Sequence, residues 1–110
     1  MAELGPIATR ILYEDDDVRI WDQRLAPGES TAAHHHENDY ALVDVEGDRV
    51  DVFPVEGAPN PHGVPASGMT LPVNAPGCFT VPAGSTEIAR NSGERPYRAI
   101  LVEFKRSREA

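Results

Sequence analysis

Three adjacent histidines near the middle of the chain carry the chemistry that the sequence shows most clearly. The run His34-His35-His36 is followed, four residues after His36, by Tyr40. In a β-strand successive side chains point to opposite faces, so His34, His36 and Tyr40 share one face and His35 lies on the other. Two imidazoles on one face can bind the same ion, and imidazole suits Zn, Fe, Ni and Cu. The run therefore predicts a metal site without choosing the metal, and a surface cluster without a role is the alternative.

Short strands must position these histidines, because no stretch of the chain shows an apolar helical period over three turns. Several short runs alternate or are rich in β-branched and aromatic residues, which indicates strands. Turn signals separate them, among them Gly47-Asp48, which stands at the spacing of a hairpin. The predicted strands cover residues 7–13, 18–25, 31–36, 40–45, 50–55, 69–73, 79–81, 86–91 and 97–104. Many short strands with such turns predict an all-β sandwich or barrel.

The length of 110 residues suits a single domain over 1–110. Residues 56–67 are rich in glycine and proline and show no strand pattern, which predicts a long irregular loop. Such a loop is either a lid over a site or an ordinary surface connection. His62 lies in it and is a candidate for a fourth metal ligand.

The charge of the chain excludes some classes of partner. The formal net charge is −8, so the chain lacks the basic stripe that binds phosphate backbones or anionic membranes. The single cysteine, Cys78, allows no disulfide within the chain. The first ten residues show no basic leader, and no apolar run approaches the roughly 20 residues of a membrane helix. We expect a cytoplasmic protein that binds neither nucleic acid nor membranes.

The spacing around the histidines resembles the first sequence motif of the cupin superfamily. Gly28 is followed after five residues by His34-x-His36, after three more by Tyr40, and after six more by Gly47. The motif has a glutamate at the position that Tyr40 occupies. The resemblance implies that His34 and His36 are metal ligands. It also implies that Tyr40 lies at a site position, but it does not give Tyr40 the role of the motif's glutamate.

A second block resembles the second cupin motif. Gly77 is followed after four residues by Pro82-Ala83-Gly84, after two more by Glu87, and after three more by Asn91. The glycine spacing is one residue short, and Glu87 stands where the motif has a histidine. The resemblance covers about residues 18–105 and implies the RmlC-like cupin fold, a double-stranded β-helix or jelly-roll barrel. It also implies a homodimer in which the strand at residues 18–25 pairs with a neighbouring subunit.

The two departures from the cupin motifs, Tyr40 and Glu87, decide which chemistry the site can carry out. With Glu87 as third ligand, the site has the two histidines and one carboxylate of a facial triad, which leaves positions open on iron. An outward-facing Glu87 in a decayed site is the alternative. Tyr40 is predicted to contact substrate or donate a proton, or else to fill the barrel mouth. Asp39 would replace the lost glutamate only if a bulge rotated the strand.

Three functional hypotheses follow from this site. The favoured one is a metal-dependent enzyme of the dioxygenase type that acts on a small organic molecule, with one divalent ion (Fe, Mn, Ni or Zn) held by His34, His36 and Glu87. The second is a non-oxidative lyase or isomerase that uses the ion as a Lewis acid. The third is a degenerate cupin that serves as a ligand-binding module. Metal content and O₂ consumption distinguish them.

Overall fold

Two antiparallel sheets form the molecule in the computed structural model, which describes residues 3–106. The first sheet has the strand order β1-β2-β9-β4-β7 and the second has the order β3-β8-β5-β6. The strands are β1 (Arg10–Glu14), β2 (Val18–Leu25), β3 (His34–His35), β4 (Tyr40–Glu46), β5 (Arg49–Pro54), β6 (Met69–Pro72), β7 (Gly77–Val81), β8 (Thr86–Asn91) and β9 (Tyr97–Phe104). The predicted all-β fold is confirmed. Within the described range no helix is long and apolar enough to cross a bilayer.

Alternating burial along the strands explains where the core lies. In β9 every second residue is buried, from Tyr97 through Ala99 and Leu101 to Glu103, while the residues between them are half-buried. This period of two directs one face of the first sheet towards the second sheet. The apolar core is formed by Ile7, Ala8, Trp21, Leu25, Tyr40, Val50, Tyr97, Ala99 and Leu101.

Gly47 does not lie in a hairpin, contrary to the prediction from Gly47-Asp48. The strands before and after it belong to different sheets, because β4 pairs with β7 and β9 whereas β5 pairs with β6 and β8. Gly47 has a φ of 135°, and a Cβ on it would lie 3.0 Å from Cδ1 of Tyr97. The chain passes from one sheet to the other at this corner, where only glycine fits.

The histidine strand is shorter than predicted. Only His34 and His35 pair in a ladder, instead of the predicted residues 31–36. The pairing continues in irregular form, since the His36 N–H donates to the Ser85 carbonyl and the Gly84 N–H donates to the His36 carbonyl. His36 is therefore held in an extended conformation although it lies beyond the regular strand.

The edge strands of the first sheet are β1 and β7, and the strand at residues 18–25 is not an edge. β2 pairs with β1 on one side and with β9 on the other, so its backbone is used within the chain. Every residue of β1 is exposed, including Ile11, Leu12 and Tyr13. Both edges of the strand at residues 18–25 are paired within the chain, so β1 is open to a partner where this strand is not, and the homodimer stays a prediction.

Candidate metal centre

Strand register brings the two sequence motifs together. His34 in β3 lies directly opposite Glu87 in β8. Directly opposed residues of antiparallel strands have Cβ atoms about 4.5–5.5 Å apart, so their side chains meet on one face. His36 follows His34 on that face, and its Nε2 lies 3.9 Å from Oε1 of Glu87. The ligand atoms that His34, His36 and Glu87 offer all lie within 4.8 Å of one another.

This donor set fits a divalent ion. Two imidazoles and one carboxylate suit Zn, Fe, Mn or Ni. Atoms bound to one ion at about 2.1 Å stand roughly 3 Å apart, so the three side chains must move together by about 1 Å on binding. The two histidines are buried and Glu87 is half-buried, which leaves one side of the cluster facing the interior of the barrel.

Neighbouring groups orient two of the three side chains. The Nδ1–H of His34 donates a hydrogen bond of 2.8 Å to the Ala32 carbonyl, which leaves Nε2 free to bind a metal. The Ser85 hydroxyl donates a bond of 2.8 Å to Oε1 of Glu87. Metal ligands in proteins are commonly held by such outer partners.

His36 is oriented by packing instead. Its ring stacks on that of Tyr40 with centroids 4.2 Å apart, and it meets His34 edge-on. Nδ1 of His36 is buried, and the described residues give it no hydrogen-bond partner. Burial, followed by the nearby His34, His35 and His62, lowers the pKa of His36 to about 3. The ring is therefore neutral near pH 7, as a metal ligand must be.

Tyr40 lies beside the cluster and lines the same cavity. Burial is the main cause that raises the pKa of Tyr40, and the Glu87 carboxylate adds to it. The phenol therefore keeps its proton and is a weaker acid than a free tyrosine. It can donate a hydrogen bond to a ligand, whereas transfer of its proton is disfavoured.

The other candidate residues lie apart from the cluster. His35 points to the opposite side and bonds with Thr86, its Nδ1 lying 2.7 Å from Oγ1. Asp39 accepts a hydrogen bond from the Ala83 N–H. His62 lines the cavity, but its Nε2–H donates to the Pro82 carbonyl. The described arrangement brings neither His62 nor Asp39 into the ligand set.

A cavity of about 400 Å³ opens from the cluster into the barrel. This volume is in the range of pockets that hold small organic molecules. The connection between β5 and β6 contributes His62 and Val64 to its lining. Most of its wall is apolar, as shown by Leu42, Val50, Val52, Leu71, Val81 and Leu101.

Sequence reasoning missed two polar residues of this cavity, Asp44 and Gln23. Asp44 is one of 18 acidic residues in the chain, and the structure shows that it is only 6% exposed. The signal was present, because Asp44 stands four residues after Tyr40 and so shares its face in a strand. Gln23 gave no comparable signal.

The comparisons with known proteins support the fold. No protein-family model matches the chain, and no curated protein matches it. Among solved structures, a cupin domain from Bordetella pertussis Tohama I aligns with a TM-score of 0.74 and 22% identity, over 96% of this chain and 99% of that one.

Two further structures agree with this result. An RmlC-like cupin family protein from Methanocaldococcus jannaschii has a TM-score of 0.62 and 13% identity, over 94% of this chain and 88% of that one. A protein with a double-stranded β-helix domain from Klebsiella pneumoniae has a TM-score of 0.61 and 18% identity, over 86% and 73%. The chain has the cupin fold, a double-stranded β-helix.

Proposed function

We propose that this protein is a metal-dependent enzyme of the dioxygenase type that acts on a small organic molecule. The observation that carries the proposal is the position of His34, His36 and Glu87. These side chains form one cluster that opens into a largely apolar cavity of about 400 Å³. A structural role does not require two buried histidines and a carboxylate to face an internal cavity.

The resemblance of the donor set to the facial triad of iron enzymes supports oxygen chemistry in this proposal. When bound by two histidines and one carboxylate, iron keeps open positions for a substrate and O₂, whereas Zn, Mn or Ni would act as a Lewis acid. The protein fixes the orientation of two of these side chains, because the Ala32 carbonyl holds His34 and the Ser85 hydroxyl holds Glu87.

Tyr40 has the role of a positioning group for the substrate in this proposal. Its phenol lies next to His36 and stays protonated, so it can donate a hydrogen bond to a substrate oxygen near the ion. The apolar wall excludes water from the remainder of the substrate, which strengthens polar contacts at the metal end. The substrate is therefore a small molecule with an oxygen donor at one end and an apolar body.

Elemental analysis of protein purified without a histidine tag or added metal tests the proposal. We expect near one equivalent of a divalent metal, with iron favoured, and its loss in the His34→Ala/His36→Ala double variant. His35→Ala is the matched control, because His35 bonds with Thr86 outside the cluster. Glu87→Gln provides a milder second variant if the double variant does not fold.

Nitric oxide added to the anaerobic Fe(II) protein tests for an open position. The EPR signal of a high-spin iron nitrosyl supports the dioxygenase proposal, and its absence opposes it. Zinc, manganese or nickel as the native metal would favour a lyase or isomerase. No metal in the wild type, even after incubation with divalent ions, would contradict both enzymes and leave a ligand-binding module.

The proposed assembly is a homodimer formed through β1. Ile11, Leu12 and Tyr13 are 46%, 44% and 53% exposed, so both faces of this edge strand are uncovered. An exposed apolar edge strand is a template for pairing with another chain. Sedimentation analysis of the wild type and an Ile11→Lys/Tyr13→Lys variant tests this, with a dimer and a monomer as the expected results. A monomeric wild type would contradict it.

A further inference from the structure

The far end of the cavity holds a buried acid. Asp44 lies on the same face of β4 as Tyr40 and Leu42, and all three line the cavity. Asp44 stands four residue positions after Tyr40 in the strand, which corresponds to a distance of about 13 Å along it. Since Tyr40 stacks on His36, the cavity has a metal end and, one strand length away, an acidic end.

Asp44 is only partly satisfied by the protein. Burial raises the pKa of Asp44, and the nearby Asn74 backbone N–H and Tyr97 hydroxyl offset this only in part. A carboxylate can accept about four hydrogen bonds, so Asp44 retains capacity towards the cavity. The ionised form of an acid buried in this way does not stabilise the fold, because burial of a charged group costs free energy unless it is fully paired. Stability alone therefore does not explain Asp44.

Gln23 provides a second polar group in the same row of the sheet. Gln23 in β2 and Asp44 in β4 both lie opposite Ala99, which belongs to the strand between them. Ala99 is fully buried and small, so it places no bulky side chain between the two polar residues. Two strand spacings place their backbones about 10 Å apart, which leaves room for a ligand group between the side chains.

The side-chain amide of Gln23 uses its oxygen in a hydrogen bond within the protein, whereas its nitrogen is available to a ligand. Its Oε1 accepts a hydrogen bond of 3.0 Å from the Thr9 hydroxyl. The described residues offer no hydrogen-bond partner for its Nε2, although Gln23 is only 6% exposed and lines the cavity. The end of the cavity thus presents a donor from Gln23 and an acceptor from Asp44.

We propose that Asp44 and Gln23 bind a terminal hydroxyl group of an elongated apolar substrate whose other end lies at the metal centre. A hydroxyl matches this pair because it donates one hydrogen bond and accepts others. The inference deepens the proposed function and rests on it for the orientation of the substrate. The apolar wall between the two ends selects a hydrocarbon body.

Binding of matched probes to the zinc-loaded and the metal-free protein tests this inference. The probes are 6-hydroxyhexanoate and 8-hydroxyoctanoate, each beside the isosteric heptanoate or nonanoate, in which a methyl group replaces the hydroxyl. Calorimetry or ligand-observed NMR gives the ratio of the two dissociation constants. We expect the wild type to prefer the hydroxy acid of at least one length by about tenfold, because the methyl group leaves buried polar atoms unpaired.

Substitutions at the far end separate a specific contact from general polarity. Asp44→Leu should reduce the preference to about one, whereas Asp44→Asn retains a carbonyl acceptor and should keep most of it. Gln23→Met is nearly isosteric and should lower the preference even if Asp44→Leu does not fold. Zinc affinity should not change in any of these variants.

The outcomes distinguish this inference from the metal proposal. Zinc binding without a hydroxyl preference, or a preference that survives Asp44→Leu and Gln23→Met, would overturn the role of Asp44 and Gln23 and leave the metal proposal intact. If the protein binds no zinc but still prefers the hydroxy acids over their methyl analogues, the role of Asp44 and Gln23 is supported and the metal proposal is contradicted. A wild type that binds no probe in either state would also overturn the inference.

Discussion

The two ends of the cavity are built in different ways. The metal end combines a strand of two residues, β3, with the beginning of β8 and the irregular segment around His36. The far end lies on long, regular strands, where Asp44 and Gln23 flank Ala99 in β9. The metal end is thus held largely by side-chain bonds and stacking, and the far end by the ladder of the first sheet.

This difference implies different responses to substitution. Ligands at the metal end depend on single hydrogen bonds, such as that from Ser85 to Glu87, so a change there should alter metal affinity more than stability. The far end contributes to the core through Tyr97, so a change there should alter stability as well as ligand preference.

The largest effect is expected for Glu87→Gln. The substitution replaces the only carboxylate of the ligand set by a neutral amide of the same size. Loss of an outer partner lowers metal affinity about 10–100-fold, so loss of the ligand charge itself should cost more than about 100-fold. Competition with a chromophoric chelator measures it. Glu46→Gln, at an exposed position, is the control, and equal affinities for the two variants would remove Glu87 from the site.

Gly47→Ala should destabilise the far end. The φ of 135° is unfavourable for alanine, and the new Cβ would lie 3.0 Å from Cδ1 of Tyr97. Backbone strain of this kind costs about 1–3 kcal/mol, to which the contact adds. Gly28→Ala is the matched control, since Gly28 has a φ of 83° but nothing within 4 Å of a Cβ. Chemical denaturation should show the larger loss for Gly47→Ala, and an equal loss would mean that Tyr97 adjusts without cost.

Ser85→Ala should weaken metal binding by about tenfold, the lower limit for losing a partner that orients a ligand. The variant removes the 2.8 Å bond to Oε1 of Glu87 and leaves all three ligands in place. The free energy of unfolding without metal should change little. If stability falls while metal affinity stays constant, Ser85 supports the fold and does not orient Glu87.

The smallest effect is expected for Asp44→Asn, which should change the free energy of unfolding by an amount that depends on pH. Burial raises the pKa of Asp44 above its usual 3.8, so the folded state holds its proton more tightly than the unfolded state. The stability that this group contributes is complete below about pH 4 and is lost as pH rises through the folded pKa.

The unfolding free energy of Asp44→Asn relative to wild type should therefore increase from pH 4 to pH 7. Denaturation curves at both pH values measure the difference. A difference that stays constant, or that narrows towards neutral pH, would show that burial does not raise the pKa of Asp44.

The grouping of His34, His36 and Glu87 could be predicted from strand spacing and from the resemblance to the cupin motifs, whereas metal binding by this cluster stays a prediction. A period of two placed His34, His36 and Tyr40 on one face, and the resemblance to the second cupin motif indicated Glu87, which the strand register then sets opposite His34. Residues 56–67 were predicted to form an irregular loop, and the structure shows no strand between Pro54 and Met69.

The position of Gln23 beside Asp44 could not be predicted because it depends on pairing between strands distant in sequence. Gln23 and Asp44 become neighbours only through β9, which lies more than fifty residues after either of them. The pairing of β4 is also irregular between Asp44 and Glu46, so local alternation does not continue past Asp44. The Gly47 corner was mistaken for a hairpin because turn chemistry does not reveal which sheet the next strand joins.

The most direct test of the metal centre is anomalous diffraction from crystals of the protein loaded with its native metal, recorded at the absorption edge of that metal. We expect one strong peak at about 2.1 Å from nitrogen atoms of His34 and His36 and from a carboxylate oxygen of Glu87. A peak at His35 or His62 instead, or no peak in protein that contains the metal by elemental analysis, would contradict the account.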